Sequence, residues 1–505
     1  MESGAERPAA PDPHASEQPE ETLDPGDWDA FRTLAHRAVD DMVTYLATVR
    51  ERPVWQPLPA DTLEALKAPL PLEPQGAERA YEDFRRFILP YPLGNIHPRF
   101  WGWVIGTGTP LGALSEYLAA TMNPNVGGAE HVAPHVEIQV LDWCKQMLGY
   151  PADSSGILVS GGSMANFLGL AVARDARAEI AVGERGLAGA PRPMVLYASS
   201  EVHNSVKKAA ALLGLGRAGV RIVPVDTAFK IDVVALAGAI RADRAAGLYP
   251  FCVVGNAGTV NTGAVDDLER LADLCVSEDL WFHVDGAFGA LAALSPRLRH
   301  KVRGMERADS LAFDLHKWMY MPYEAGCVLV RDAAHHRNAF VSPADYLTHA
   351  TRGTSSGEIW FGDYGMQLSR GFRALKVWMS LKEHGVDRYA RLIEQNASQA
   401  HYLAHQVERH PDLQLMAPVE LNIVVFRFHA ARLDVAQLNA LNETILIDLQ
   451  ERGIAVLTST MLHGRYAMRA AIVNHRSRRE DFDLVVEAVA ARGLELLAEY
   501  PCIGP

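Results

Sequence analysis

A glycine-rich turn is the first feature of this sequence that could do chemistry. The turn Ser160-Gly161-Gly162-Ser163 lies between the apolar run GILVS and a helical pattern that begins at Met164. Glycines let backbone N–H groups approach an anion closely, and a helix N-terminus and the Ser163 hydroxyl both favour negative charge. The turn therefore predicts a phosphate seat, although an ordinary strand-to-helix turn has the same composition.

An aspartate forms the second feature, in the segment FHVDGAFGA. Asp285 ends an apolar run, where an ionised carboxylate is costly unless a cation lies near it. A protonated pyridine nitrogen is such a cation, and the small residues Gly286 and Ala287 leave room for a flat ring. The alternative interpretation is a structural aspartate that caps a neighbouring helix.

A lysine and a histidine complete the set. Lys317, in SLAFDLHKWMYMP, lies among apolar and aromatic residues. A desolvated lysine can form a Schiff base with an aldehyde, whereas an ordinary surface lysine extends its amine into water. His203, in ASSEVHNSVKKAA, precedes a helical pattern and either stacks on a ring or caps the helix.

These four features form one chemical list. They are a phosphate seat, a partner for a ring nitrogen, an aldehyde-binding lysine and a ring cover. Pyridoxal 5'-phosphate (PLP), whose ring accepts electrons, needs all four from its protein. The sequence therefore predicts PLP as the cofactor.

Alternating patterns indicate the elements that position these residues. Seven short apolar runs read as buried strands: GILVS, PMVLYAS, VRIVPV, FCVVGNA, LWFHVDG, SLAFD and GCVLVR. Helical patterns separate most of them. This alternation predicts an α/β fold with a mostly parallel sheet flanked by helices. Ligands of such sheets bind at the carboxyl ends of the strands, where the four features fall.

The two ends of the chain differ from this centre. We predict a disordered tail over 1–22 and an N-terminal helical arm over 23–109, with a helix that starts after Asp27 and a proline-rich extended stretch from Pro53 to Pro74. The large cofactor-binding domain is predicted over 110–374, and a small α+β domain over 375–505.

Composition excludes several classes of protein. The net charge of −13 and the lack of a dense Lys/Arg run argue against a nucleic-acid partner. No apolar run is long enough to span a membrane, and the N-terminus lacks the order of a signal peptide. The five scattered cysteines argue against a disulfide framework or a zinc site, so we expect no metal and a cytoplasmic location.

With these features in place, the chain resembles the group II PLP-dependent decarboxylases, which have the type I, aspartate aminotransferase-like fold. Within them it is most similar to the aromatic-L-amino-acid decarboxylases. HVDGAFGA and DLHKW carry the resemblance, supported by NIHPRFWGW, VEIQVLDW and VHNSVKKA, and it runs from about Phe31 to about residue 490. It implies a homodimer in which the arm wraps the partner and the active site is shared.

The resemblance also implies roles at matched positions. Lys317 would carry the cofactor, Asp285 would bind its ring nitrogen, Ala287 would pack under the ring and His203 would stack above it. Gly162 and Ser163 would bind the phosphate, and His316 would precede the lysine. Tyr346, in PADYLTH, would protonate the carbanion from a mobile loop.

The sequence departs from the family pattern in places. Asp314 stands where relatives often have Asn, and Val260 where some have Thr, so we expect the adjacent Thr259 to bind the cofactor instead. Trp103 belongs to a changed pocket wall. Ser369, just before an arginine, would line the side-chain pocket and favour phenolic or phenyl substrates over tryptophan.

The predicted function is decarboxylation of an aromatic L-amino acid to its amine and CO₂. One alternative is an aromatic aldehyde synthase, which in this family has Phe in place of the loop tyrosine. A second is a decarboxylase of a non-aromatic amino acid. A third is a non-catalytic protein of the same fold or a nucleotide-binding protein, against which Lys317, Asp285 and His203 argue together.

Overall fold

The N-terminal arm begins with an amphipathic helix. The computed structural model describes residues 21–341, 350–357 and 359–499. Helix α1 spans Trp28–Ala47, and the side chain of Asp27 accepts the N–H groups of Asp29 and Ala30 as an N-cap. This agrees with the predicted start of the helix. Of the residues in α1, only Leu34 is buried within the chain.

The proline-rich stretch is less extended than predicted. A six-residue helix, α2, forms over Ala60–Ala65 directly after Pro59. Proline fixes its own backbone and lacks an N–H, so it is well suited to the residues just before a helix. Helix α3 follows over Ala77–Asp83.

The central sheet confirms the predicted fold class. All seven predicted runs form strands: β1 Ser155–Val159, β2 Met194–Ser199, β3 Val220–Val223, β4 Tyr249–Asn256, β5 Trp281–Asp285, β6 Ser310–Asp314 and β7 Gly326–Val330. Their order across the sheet is β1-β7-β6-β5-β4-β2-β3. Strands β3, β2, β4, β5 and β6 pair in parallel, while β7 is antiparallel to both β6 and β1.

Helices cover this sheet and connect its strands. They are α4 Pro110–Met122, α5 Val132–Leu148, α6 Gly162–Arg177, α7 Val182–Arg185, α8 Asn204–Leu212, α9 Val233–Ala245, α10 Leu268–Ser277, α11 Leu315–Trp318, α12 Ala333–Asn338 and α13 Arg373–His384. Helix α13 packs on α4 and α5. The predicted domain boundary at 374/375 therefore falls inside one helix that belongs with the large domain.

The C-terminal part is a four-stranded antiparallel sheet with three helices. Its strands are β8 Leu413–Leu415, β9 Ile423–Phe428, β10 Thr458–Leu462 and β11 Arg465–Ala471, in the order β10-β11-β9-β8, and its helices are α14 Val386–Arg409, α15 Val435–Glu451 and α16 Arg479–Glu499. It has its own apolar core, separate from the core around the central sheet. Within the described ranges, no helix combines the length and apolar character that a membrane span requires.

Candidate active site

A cavity of about 540 Å³ opens at the carboxyl ends of the central strands. Asn256 and Asp285 are the last residues of β4 and β5 and lie side by side in the sheet. Both line the cavity, together with residues of the small domain. The full lining is Trp103, Val104, His203, Asn256, Gly258, Val260, Asn261, Asp285, Ala287, Phe288, Lys317, Leu446, Gln450, Leu457, Thr458, Ser459 and Arg469.

Asp285 is held by hydrogen bonds on both carboxylate oxygens. The side chain is buried, with 5% of the residue exposed. Its Oδ1 accepts the backbone N–H of Ala287 at 3.1 Å, and its Oδ2 accepts the Asn166 side-chain amide at 2.9 Å. Donors of this kind stabilise the ionised form of a buried carboxylate. The carboxylate is therefore suited to pair with a cation in the cavity rather than to cap a helix.

Lys317 follows β6 on the short helix α11 and lines the same cavity. Its Nζ lies 2.9 Å from Oδ2 of Asp314, whose side chain is 1% exposed. A buried carboxylate needs such a counter-charge. The departure from the family's Asn at position 314 thus provides an ion-pair partner for the lysine.

The predicted phosphate-binding turn lies next to Asp314 and Ala287. Helix α6 begins at Gly162, directly after β1 and Gly161. A Cβ on Gly162 would lie 2.8 Å from Asp314 Oδ2 and 3.5 Å from the Cβ of Ala287, so only glycine fits there. Ser163, in the first turn, is exposed. The first N–H groups of a helix lack partners within it, and this end can bind a phosphate.

His203 both caps a helix and faces the cavity. Its Nδ1 accepts the Ser205 backbone N–H at 3.2 Å as the N-cap of α8, and it lies 2.7 Å from Ser205 Oγ. A nitrogen that accepts an amide N–H carries no proton itself, so neutral His203 has its proton on Nε2. Partial burial lowers its pKa, against a raising effect of Asp285. His203 therefore caps α8, and its stacking on a cofactor ring stays a prediction.

His316 lies behind the lysine and is buried. Its Nδ1 accepts the Ala325 backbone N–H at 3.1 Å, and its ring contacts that of Tyr323 with centroids 4.2 Å apart. Burial lowers the pKa of His316 to about 4, partly offset by Asp314. Its side chain therefore packs the site as a neutral ring at neutral pH.

Thr259 is turned away from the cavity. Its hydroxyl lies 3.1 Å from Oγ1 of Thr262 and accepts the Ala264 backbone N–H at 3.1 Å, inside its own turn. The neighbouring Val260 lines the cavity. The structure thus does not bring Thr259 together with the other predicted residues, and its role in cofactor binding stays a prediction.

Trp103 forms an unusual part of the wall. Its φ of 49° lies in the left-handed region, which is costly for a large side chain. The small domain holds it there, because Thr458 Oγ1 accepts its N–H at 3.3 Å and Arg469 Nη1 donates to its carbonyl at 2.8 Å. The residue remains 52% exposed.

Sequence reasoning missed Arg469 and Asn166. Arg469 is 3% exposed, and burial lowers its pKa to about 10. Its Nε donates to the Asn261 carbonyl at 3.1 Å, while its Nη2 has no hydrogen-bond partner within the described part of the chain. The available signal was a charged residue in the middle of the apolar run YAMRAAIV. Asn166 gave no such signal, since it is one polar residue on an amphipathic helix.

Ser369 and Tyr346 are the remaining two predicted residues. Ser369 is exposed and is absent from the described lining, although the next residue, Arg370, is buried against Glu137. Tyr346 lies outside the described residues.

The lysine, the aspartate at the strand end, the histidine and the open helix N-terminus together define a site that fits PLP. The comparisons identify the family. The model of the pyridoxal-dependent decarboxylase conserved domain matches residues 59–429. This chain therefore belongs to the pyridoxal-dependent decarboxylase family, and it is a PLP-dependent amino acid decarboxylase.

Individual relatives cover nearly the whole chain. An aromatic-L-amino-acid decarboxylase of Bacillus atrophaeus is 33% identical over 94% of this chain and 97% of its own length. A phenylacetaldehyde synthase of Petunia hybrida is 28% identical over 89% of this chain and 91% of its own length. The crystal structure of Oryza sativa TDC with PLP and tryptamine superposes with a TM-score of 0.87, at 27% identity, over 94% of this chain and 100% of that chain.

Proposed function

We propose that this decarboxylase acts on aromatic L-amino acids and releases CO₂ and the corresponding amine. The observation that carries the proposal is the set of apolar residues that share the cavity with Asp285 and Lys317: Trp103, Val104, Val260, Phe288, Leu446 and Leu457. These apolar side chains can pack against an aromatic ring, and burial of the ring's apolar surface favours binding. The names of the Bacillus and Petunia relatives support an aromatic substrate.

In this proposal each site residue has one task. Lys317 would hold the cofactor covalently, and Asp285 would hold a proton at the ring nitrogen. His203 and Ala287 would pack against the ring, while the Gly162 and Ser163 end of α6 would hold the phosphate. When bound, PLP supplies the conjugated ring that accepts the electrons of the broken Cα–carboxylate bond.

We further propose Tyr346 as the proton donor to Cα after CO₂ leaves. A hydroxyl donor delivers the proton that completes the amine. The aldehyde synthase is the second candidate function, since the Petunia relative bears that name. The tyrosine at position 346, where such synthases of the family have Phe, favours simple decarboxylation.

We propose that the working unit is a homodimer with a shared active site. Helix α1 leaves large apolar side chains exposed, namely Trp28 (58%), Phe31 (42%), Val39 (47%) and Val43 (60%). A surface of this kind is buried in an oligomer. Val39→Glu with Val43→Glu should give an inactive monomer in sedimentation, while Val234→Glu, at a more exposed valine (73%) on α9, should stay dimeric. A fully active monomer would contradict the proposal.

The substrate test is a panel that includes Phe, Tyr, DOPA, Trp, 5-hydroxy-Trp, His and Glu. Purified holoenzyme is assayed for amine and CO₂ separately, because an aldehyde synthase yields CO₂ without the amine. We expect turnover of the aromatic amino acids with equal amounts of both products. Preferred turnover of His or Glu would reject the aromatic assignment while leaving the family intact.

A cytoplasmic location stays a prediction from the cysteine pattern.

A further inference from the structure

We propose that Asn166 is a positioning residue for Asp285, and that a buried chain of hydrogen bonds ending at Trp281 fixes the direction of its side-chain amide. The chain runs behind β5 through His283 and Ser310 and does not reach the cavity. This inference rests on the role proposed above for Asp285 as the partner of the cofactor's ring nitrogen.

The Asp285 carboxylate fixes which groups donate and which accept at one end of this hydrogen-bond network. Asn166 is 1% exposed, and its amide faces Asp285 Oδ2 at 2.9 Å and Ser205 Oγ at 3.0 Å. An ionised carboxylate only accepts hydrogen bonds, so the NH₂ group of Asn166 must be the part that faces it. The amide oxygen of Asn166 then points the opposite way.

His283 donates a hydrogen bond to that oxygen, and this fixes the donor and acceptor roles of its other ring nitrogen. Its Nε2 lies 2.9 Å from Asn166 Oδ1, so Nε2 must carry the proton. Its Nδ1 lies 2.8 Å from Ser310 Oγ, which also accepts the indole N–H of Trp281 at 2.8 Å. Burial of the ring lowers the pKa of His283 to about 4. The ring is therefore neutral at neutral pH, and the Ser310 hydroxyl donates to the bare Nδ1.

This ordering leaves the Asn166 amide a single orientation. A reversed amide would place its oxygen against the Asp285 carboxylate and its NH₂ against the protonated Nε2 of His283. Each contact would be repulsive, and buried polar groups without partners are costly. The second branch is also fixed, because Ser205 Oγ accepts from Asn166 and is free to donate to His203 Nδ1.

One amide thus acts on both Asp285 and His203. Its N–H bond stabilises the ionised carboxylate and makes the carboxylate a weaker competitor for the ring-nitrogen proton. Without it, Asp285 would keep a single described donor, the Ala287 N–H. The proton should then shift from the ring nitrogen towards the carboxylate, and the cofactor should be held less tightly.

The test uses apo-enzyme reloaded with PLP labelled with ¹⁵N at the ring nitrogen. The ¹⁵N chemical shift reports how much of that nitrogen is protonated, and an absorbance titration gives the dissociation constant. We expect Asn166→Ala to move the shift towards the unprotonated value and to raise the dissociation constant about tenfold, as for a lost bond to a charged group.

A graded series separates positioning from a general loss of structure. His283→Phe should shift the signal less than Asn166→Ala, and Ser310→Ala, one bond farther away, should shift it by the smallest amount. Asn442→Ala is the matched control, because it removes an equally buried asparagine whose amide bonds only within the small domain, to Phe428 and Leu438, and it should leave the ring-nitrogen signal in place. Thermal melts of each variant show whether it is folded. If Asn166→Ala does not fold, His283→Phe and Ser310→Ala decide.

Asp285→Asn separates a failure of the role proposed for Asp285 from a failure of the role proposed for Asn166. If that variant leaves the ring-nitrogen signal unchanged, the proposed role of Asp285 is wrong. If it shifts the signal but folded Asn166→Ala and His283→Phe do not, the role of Asp285 stands and the positioning role of Asn166 is rejected. An Asn442→Ala shift as large as that of Asn166→Ala would also reject it.

Discussion

The two halves of the cavity are built in opposite ways. The half at the strand ends is buried and tightly bonded, with Asp285 5% exposed and Asn166 1% exposed. The other half is open, with Trp103 52% exposed. We therefore expect the reaction to depend on groups that this chain holds in place by itself, and substrate selection to depend on the open wall.

The largest expected effect lies in the buried half, at Lys317. Lys317→Ala should lower kcat by about 10³-fold or more, because covalent binding and proton movement at the lysine are both lost. Borohydride reduction of the wild type followed by peptide mapping should place the pyridoxyl group on this lysine. Lys382→Ala, at an exposed lysine of α13, serves as the control. A label on a different lysine would refute the assignment.

The next largest effect concerns the products formed. Tyr346→Phe removes the proposed proton donor without removing any residue assigned to PLP binding. We expect the variant to keep its cofactor absorbance while, with dissolved O₂ as the two-electron oxidant, the products change from amine towards aldehyde, ammonia and H₂O₂. Amine, aldehyde and ammonia are quantified from the same reaction. Undiminished amine formation would exclude Tyr346 from the mechanism.

Acid should weaken the buried part of the fold. Burial lowers the pKa of His283, His316 and His336 from 6.5 to about 4. Between these values the unfolded state binds more protons, so stability is complete above pH 6.5 and falls as the pH drops towards 4. Each histidine should remove about 1.4 kcal/mol of unfolding free energy per pH unit.

Urea unfolding of the apo-enzyme at pH 7 and pH 5 measures this effect. The midpoint should be clearly lower at pH 5, and His336→Gln should reduce the difference between the two. Equal midpoints at both values would show that these histidines titrate normally in the folded protein.

The smallest expected effect concerns Ser369, which is exposed and lies outside the described lining of the cavity. Ser369→Gly removes a hydroxymethyl group, and an apolar pocket discriminates by only about 1–3 kcal/mol per methylene. We expect kcat/KM for Trp to rise relative to Tyr, DOPA and Phe, by about tenfold at most. An unchanged ratio, or a wild type that already prefers Trp, would show that Ser369 does not select the substrate.

The sequence predicted the buried half well because its signals are local. Each of the seven strands is an apolar run of four to eight residues, Asp285 ends β5, and Lys317 lies three residues after the end of β6. A charge next to an apolar strand is rare enough to attract notice. The family resemblance then supplied the order of the roles.

Features that depend on contacts between distant parts of the chain could not be predicted from local sequence patterns. Asn166 meets His283 across 117 positions, and Arg469 meets Trp103 across 366. The hydroxyl of Thr259 turned towards Thr262 because a local partner was available inside its own turn. Strands β8 and β10 are three and five residues long, and such short strands depend on tertiary packing for their stability.

The left-handed backbone of Trp103 makes this position a natural target for engineering. Only glycine occupies that conformation without strain, so Trp103→Gly would release about 1 kcal/mol of strain while it deletes an aromatic wall. At position 103, a substitution that relieves backbone strain therefore also removes a side chain that we expect to select the substrate. A library that widens the pocket should keep Arg469 and Thr458, which bond to the backbone of Trp103, and should substitute position 103 only.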